Sequence, residues 1–122
     1  MTNYKIGFVG AGKMASAIIK GLIKTGFAKP EELIATQAEK DTLEEKSKLL
    51  GIKVISDNKE LANSVNTVFI ATKPNQVEGV LAEISPYINS EKLVVSIAAG
   101  VTTTKLEAGL PEGTRVIRVM PN

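Results

Sequence analysis

The chain has 122 residues, the length of one ordinary domain, and 43% of them are hydrophobic, which is enough to bury a core. The net charge is only +2 and the lysines are scattered, so the sequence predicts no nucleic-acid-binding surface. It contains no Cys and no His, which excludes disulfides, thiolate nucleophiles, imidazole bases and the usual zinc ligands. We expect a cytoplasmic protein, because Cys is absent and no apolar run approaches the roughly 18 residues of a membrane span.

Short apolar segments alternate along the chain with segments of helical periodicity. In chain order the predicted elements are strand Tyr4–Gly10, helix Lys13–Thr25, strand Glu32–Thr36, helix Glu39–Leu50, strand Ile52–Ile55, a short helix from Asp57 or Asn58 to Ser64, strand Asn66–Thr72, a helix through Val77, Val80, Leu81 and Ile84, strand Lys92–Ile97, helix Thr102–Gly109 and strand Arg115–Val119.

Side-chain spacing predicts which helix faces turn inward. In the first helix Met14, Ile18, Gly21 and Leu22 recur at helical intervals, and in the second Leu43, Leu49 and Leu50 are expected to face the core. Apolar strands that alternate with helices indicate a parallel sheet covered on both faces. The sequence therefore predicts an α/β Rossmann-type fold, a doubly wound, mostly parallel sheet in a three-layer αβα arrangement.

A glycine-rich turn joins the first strand to the first helix. Residues 10–15 read G-x-G-x-x-A, which in this strand-to-helix context is the dinucleotide fingerprint. Gly10 permits the tight turn, Gly12 lets a pyrophosphate approach the backbone, and Ala15 lets the helix lie close to the strand. The pyrophosphate would bind free N–H groups at the helix N-terminus. The alternative is a turn that only connects two elements.

The same stretch nearly matches a P-loop. Residues 7–13, GFVGAGK, fit G-x-x-x-x-G-K, but Met14 stands where a Ser or Thr hydroxyl would bind Mg²⁺. Gly7 is expected inside the strand, and no later strand ends in an Asp suited to hold the metal. We therefore reject the NTPase interpretation and predict no metal site.

The end of the second strand bears on the choice of cofactor. An NAD-preferring domain usually places an acidic residue there, about 20 residues beyond the glycines. Here the strand ends in Thr36 and Gln37, with Lys40 nearby, and these groups could donate hydrogen bonds to a 2′-phosphate. We predict NADP(H), with NAD(H) as the alternative if Glu39 turns inward.

The other strand ends carry small or stiff segments. Ala71–Pro74 suits a flat ring or a ribose, since the residue before a proline is held extended, and Ser96–Gly100 leaves the backbone accessible to a nicotinamide. Each could equally well be an ordinary turn, and Asn58 a helix cap. No residue has the pattern of a catalytic acid or base.

Four segments, IGFVGAGKMASAIIKGL, ATKP, VVSIAAGVT and RVIRVMPN, together resemble the N-terminal domain of pyrroline-5-carboxylate reductases over essentially all of the chain. The related beta-hydroxyacid and 6-phosphogluconate dehydrogenases share the first segment. The resemblance implies reduction of the C=N bond of Δ1-pyrroline-5-carboxylate by NAD(P)H to give L-proline. It assigns cofactor contacts to Val9, Gly10, Ala11, Gly12, Lys13, Met14, Thr36, Gln37, Asn58, Ala71, Thr72, Lys73, Pro74, Ile97, Ala98 and Ala99. Thr72 departs from the Val of many relatives.

The resemblance also implies a second domain. Family members continue beyond RVMPN into a helical domain that forms dimers and rings of dimers and holds the substrate. We therefore expect residues 1–122 to be a fragment, the dinucleotide-binding domain alone, monomeric or weakly associated and inactive without the rest. Two alternatives stay open, a related reductase with another substrate and a non-catalytic module that senses a dinucleotide.

Overall fold

The computed structural model describes residues 4–119. All eleven predicted elements are present, with bounds a few residues tighter than expected. The strands are β1 (Ile6–Val9), β2 (Leu33–Thr36), β3 (Lys53–Ile55), β4 (Thr67–Ile70), β5 (Leu93–Ser96) and β6 (Arg115–Arg118), and the helices are α1 (Lys13–Lys24), α2 (Leu43–Leu50), α3 (Asn58–Ser64), α4 (Val77–Ile84) and α5 (Thr103–Ala108). The last three residues of RVIRVMPN lie outside the described part. No helix in that part is long and apolar enough to cross a membrane.

The six strands form one sheet in the order β3-β2-β1-β4-β5-β6. Every neighbouring pair is parallel, and Phe8 of β1 lies opposite Ala35 of β2 and Phe69 of β4. This is the strand order of a doubly wound dinucleotide-binding fold, so the predicted fold class is confirmed. The order reverses between β1 and β4, and ligands in such sheets bind at the carboxyl ends of the strands at that point.

A hydrophobic core packs on each face of the sheet. Leu61 of α3, Leu81 of α4 and Leu106 of α5 belong to one cluster, and Ile19 of α1 and Leu50 of α2 to the other. The four apolar residues predicted for α4 are all buried. The three-layer arrangement follows, because helices with one apolar stripe cover both faces of an apolar sheet.

Some inward faces were predicted wrongly. Met14 and Leu49 are exposed, at 44% and 67%, whereas Ala15 and Ile19 are the buried residues of α1. The edge strand β6 is covered on one face only, since Ile117 is 48% exposed while Val116 packs against the core. Short helices and edge strands offer several apolar residues to the core, and the packing of the neighbours decides which of them turn inward.

A buried lysine fixes the end of α3. Lys92 is 7% exposed, and its Nζ donates hydrogen bonds of 2.7 Å to the carbonyls of Ala62 and Val65. A cation at this position satisfies carbonyls that the helix end leaves without partners. Desolvation by burial lowers the pKa of this ammonium group.

Gly7 lies inside β1, where it pairs with Ile34 and Val68. A Cβ at this position would lie 2.6 Å from Leu61 Cδ2 and 3.0 Å from Val65 Cγ1, so the missing side chain lets α3 pack directly on the strand. Gly7 therefore serves packing rather than a phosphate loop, which agrees with the rejection of the P-loop.

We predict that Gly7→Ala lowers the free energy of unfolding by about 1–3 kcal/mol, because overpacked cores must shift buried neighbours. Gly21→Ala is the matched control, since Gly21 lies on α1 and a Cβ there meets no atom within 4 Å. It should gain up to about 1 kcal/mol from helix propensity. Urea unfolding of both variants measures the difference, and a Gly7→Ala protein as stable as the wild type would show that α3 does not need the missing side chain.

Candidate functional site

A cavity of about 750 Å³ opens where the strand order reverses. Its walls come from the ends of the first four strands and from one face of α4. The lining residues predicted from the sequence are Val9, Gly10, Ala11, Gly12, Thr36, Gln37, Asn58, Ala71, Thr72 and Lys73. The fold thus brings together most of the residues that the motifs singled out.

The other predicted contacts do not line this cavity. They are Lys13, Met14, Pro74, Ile97, Ala98 and Ala99. Lys13 and Met14 are exposed on the first turn of α1, and Ile97 and Ala98 are buried at the end of β5. Their assignment as cofactor contacts stays a prediction.

Further lining residues were not predicted, namely Ala38, Ser56, Gln76, Gly79, Val80 and Glu83. Four of them, at positions 76, 79, 80 and 83, recur at intervals of three and four residues and so share one face of α4 and the turn before it. That periodicity was visible in the sequence, but the stronger apolar stripe of the same helix concealed it. Val80 was predicted only as a core residue.

The glycine turn is held between β2 and β4. Gly10 has a φ of 105°, which side chains rarely adopt, and a Cβ there would lie 2.8 Å from the carbonyl oxygen of Ala71. Its N–H donates to the Thr36 hydroxyl oxygen at 3.3 Å. The turn therefore requires glycine at this position for both backbone conformation and space.

Gly12, the N-cap of α1, has a different backbone conformation and more space around it than Gly10. Its backbone is extended, and a Cβ there would meet no atom within 4 Å. No side chain caps the helix, and no acidic residue lies in its first turn. The amides at this helix N-terminus and the positive end of the dipole are thus left for an anion, with open space above Gly12 for a phosphate to approach.

A chain of hydrogen bonds crosses the cavity wall. The Thr36 hydroxyl, on a residue only 2% exposed, donates to Asn58 Oδ1 at 2.7 Å, and Asn58 Nδ2 donates to a carboxylate oxygen of Glu83 at 3.3 Å. The N-cap of α3 is Asp57, whose carboxylate accepts from the N–H groups of Lys59 and Glu60. The interpretation of Asn58 as a helix cap is therefore wrong, and its side chain is free to join the cavity wall.

Two of the three expected donors at the end of β2 are already used within the protein, and the third, Lys40, does not line the cavity. The Thr36 hydroxyl proton goes to Asn58, and Gln37 Nε2 donates to the Glu39 carbonyl at 2.9 Å and to Thr42 Oγ1 at 2.6 Å. Neither side chain presents a spare donor to a 2′-phosphate in this arrangement. The strand end nevertheless carries no negative charge toward the cavity, because its lining residues, Thr36, Gln37 and Ala38, have no carboxylate.

The end of β4 has the predicted turn geometry. Lys73 is extended with φ −65° and ψ 149°, and Pro74 begins a short 3₁₀ helix. Thr72 Oγ1 is buried and has no hydrogen-bond partner within the described residues.

Lys73 and Glu83 are the ionisable side chains of the lining, and residues 4–119 contain no group of three His, Cys, Asp or Glu that could hold a metal. Apart from Lys73 and Glu83, the cavity is therefore lined by neutral side chains and main-chain groups.

A parallel sheet of this order with a glycine turn at its switch point defines a Rossmann-type domain. The model of a family described as "NADP oxidoreductase coenzyme F420-dependent" matches residues 5–100, and the chain belongs to that family.

Several relatives that match along essentially the whole chain are named pyrroline-5-carboxylate reductases. The reductase of Methanosarcina acetivorans is 46% identical over 100% of this chain and 45% of its own length. A solved reductase from Coxiella burnetii has a TM-score of 0.88 and 33% identity, and covers 99% of this chain and 45% of its own. One from Plasmodium falciparum, solved with NADP bound, has a TM-score of 0.84 and 34% identity over 100% of this chain and 44% of its own. The resemblance is confirmed, and the chain spans less than half the length of these relatives.

Two alanine substitutions separate the roles of the turn. Gly10→Ala should cost roughly 2–4 kcal/mol of stability, because it combines backbone strain with a clash against the Ala71 carbonyl. Gly12→Ala, two residues away, should cost less than about 1 kcal/mol, because the position is extended and open. Thermal and urea unfolding compare them, and equal losses in both variants would contradict this division of roles.

Proposed function

We propose that the whole protein to which this chain belongs is a pyrroline-5-carboxylate reductase and that residues 1–122 are its cofactor-binding domain. The reaction is the NAD(P)H-dependent reduction of 1-pyrroline-5-carboxylate to L-proline, the final step of proline biosynthesis. The observation that carries the proposal is the 46% identity with a reductase of that name along the entire chain. When bound, the nicotinamide cofactor supplies the hydride that reduces the C=N bond.

The glycine turn is proposed to bind the cofactor pyrophosphate. The uncapped N-terminus of α1 and the open space above Gly12 support this, since both are what a phosphate needs. The backbone from Val9 to Met14 would form this contact. The pyrophosphate is the same group in the oxidised and the reduced cofactor. The main-chain amides would therefore anchor the cofactor in both states.

The adenosine end is proposed to lie along the ends of β2 and β3, beside Thr36, Gln37 and Asn58. Absence of a carboxylate from the β2 end supports NADP(H) over NAD(H), because Thr36, Gln37 and Ala38 bring no negative charge that would repel a 2′-phosphate. The segment Ala71–Pro74 would support the middle of the dinucleotide, and Ile97–Ala99 the nicotinamide end.

Substrate contacts and the proton donor are proposed to come from outside residues 1–122. The lining of the described cavity supports this proposal, because its only ionisable side chains are Lys73 and Glu83. A C-terminal helical domain would hold the substrate and form the homo-oligomer, and this chain by itself would be monomeric or weakly associated and inactive. A cytoplasmic location belongs to the same proposal and is supported by the lack of Cys.

The test is NADPH oxidation by the whole protein when 1-pyrroline-5-carboxylate is supplied, with proline measured as the product. Gly12→Ala in the same protein should lower kcat/KM for NADPH at least ~10-fold, because a Cβ would stand between the phosphate and the helix amides. Its melting temperature should stay near that of the wild type. NADH is compared in parallel and should give the lower kcat/KM.

Two outcomes would overturn the proposal. Hydride transfer to an oxo acid in place of the imine would indicate a related dehydrogenase. Cofactor binding without any hydride transfer would indicate a sensing module.

A further inference from the structure

We propose that Glu83 is a positioning residue that orients the Asn58 amide toward the bound dinucleotide. This inference rests on the proposed function, since it concerns the same cavity. Glu83 lies at the end of α4, and its side chain meets Asn58 on the cavity wall. Neither the glycine fingerprint nor the β2 end, from which cofactor binding is usually deduced, includes α4.

The hydrogen bonds in this wall run in one direction. The Gly10 N–H donates to Thr36 Oγ1, Thr36 donates its proton to Asn58 Oδ1, and Asn58 Nδ2 donates to Glu83. A carboxylate only accepts hydrogen bonds, so it is a natural end for a chain of donors. The charge also strengthens the last bond. Four elements, β1, β2, α3 and α4, are thereby linked around the ligand space.

Glu83 determines which way the amide faces. If the Asn58 amide turned over, its Oδ1 would face the Glu83 carboxylate, and two acceptors would meet without a proton between them. The Thr36 hydroxyl, at 2% exposure, would at the same time lose the acceptor of its proton. With Glu83 present, the amide therefore keeps its oxygen on Thr36 and its nitrogen on the cavity side.

This orientation leaves one donor for the ligand. An Asn side-chain NH₂ group carries two hydrogens, and the bond to Glu83 uses one of them. The second suits an acceptor oxygen on the adenosine side of the cofactor, either a ribose hydroxyl or the 2′-phosphate. Since Thr36 and Gln37 have no spare donor, the second Asn58 hydrogen is available at the ends of β2 and β3, where the Ser56 hydroxyl also lines the cavity.

The experiment uses Glu83→Leu and Glu83→Gln in the whole protein. Both changes remove the charge, but only leucine removes the acceptor for Asn58. Dissociation constants for NADP⁺ and NAD⁺ are measured by calorimetry. Glu83→Leu should weaken NADP⁺ binding roughly 3- to 10-fold, because the competent amide orientation becomes a fraction of the population. Glu83→Gln should retain most of the affinity. Glu78→Leu, an exposed Glu of the same helix outside the cavity lining, controls for the new leucine and should bind as the wild type does.

A double-mutant cycle completes the test. In an Asn58→Ala background, Glu83→Leu should have no further effect on the dissociation constant, because the residue through which it acts is gone. A larger loss for NADP⁺ than for NAD⁺ identifies the 2′-phosphate as the acceptor, and equal losses identify the ribose.

Three results would overturn the proposal for Glu83. The first is an equal change in the dissociation constant for both Glu83 variants, and the second is no change for either. The third is a full effect of Glu83→Leu in the Asn58→Ala background. A wild-type protein that binds neither nucleotide would instead overturn the proposed function, so the two failures are distinguishable.

Discussion

The architecture of the site depends on a close approach between Gly10 and the ends of β2 and β4. A Cβ at Gly10 would stand 2.8 Å from the Ala71 carbonyl oxygen, and the Gly10 N–H reaches Thr36 at 3.3 Å. This contact turns the chain sharply enough for α1 to begin at the switch point of the sheet, with its N-terminus directed at the cavity. A side chain at this one position would shift the N-terminus of α1, and with it the amides and the positive end of the helix dipole that an anion needs.

The polar groups at the end of β2 form hydrogen bonds within the protein and also line the cavity. Thr36 and Gln37 satisfy neighbouring groups inside the protein, so the end of β2 is rigid and neutral rather than a set of free donors. In the proposed function, affinity for a phosphorylated ligand then rests on main-chain amides of α1, whose direction is fixed by the fold. The missing carboxylate at the end of β2 removes a repulsion for a 2′-phosphate without adding an attraction, so any preference for NADP(H) that it gives is expected to be weaker than one from a dedicated cation.

The sequence predicted the features that depend on local chemistry. A G-x-G-x-x-A turn between an apolar strand and a helix is typical of a dinucleotide-binding fold, and the buried stripe of α4 follows from its period. Other features were missed. Leu49 was expected inside and is 67% exposed, because Leu43 and Leu50, seven residues apart, share the inward face of α2 and Leu49 lies about 100° away from it. The hydrogen bond between the Thr36 hydroxyl and Asn58 was also not predicted, because Asn58 lies 22 residues away and comes close only when β2 and β3 pair. Glu83 was overlooked because the apolar stripe of α4 concealed the second face of that helix.

The central claim is that main-chain amides at residues 10–15 bind the dinucleotide pyrophosphate, and nuclear magnetic resonance tests it most directly. The ¹⁵N-labelled chain is titrated with NADP⁺ while its amide resonances are followed. We expect saturable shifts concentrated on Gly10 to Ala15, with the remote turn at Gly113 unmoved. Resonances of Gly10 to Ala15 that stay in place at a large excess of NADP⁺ would contradict the claim.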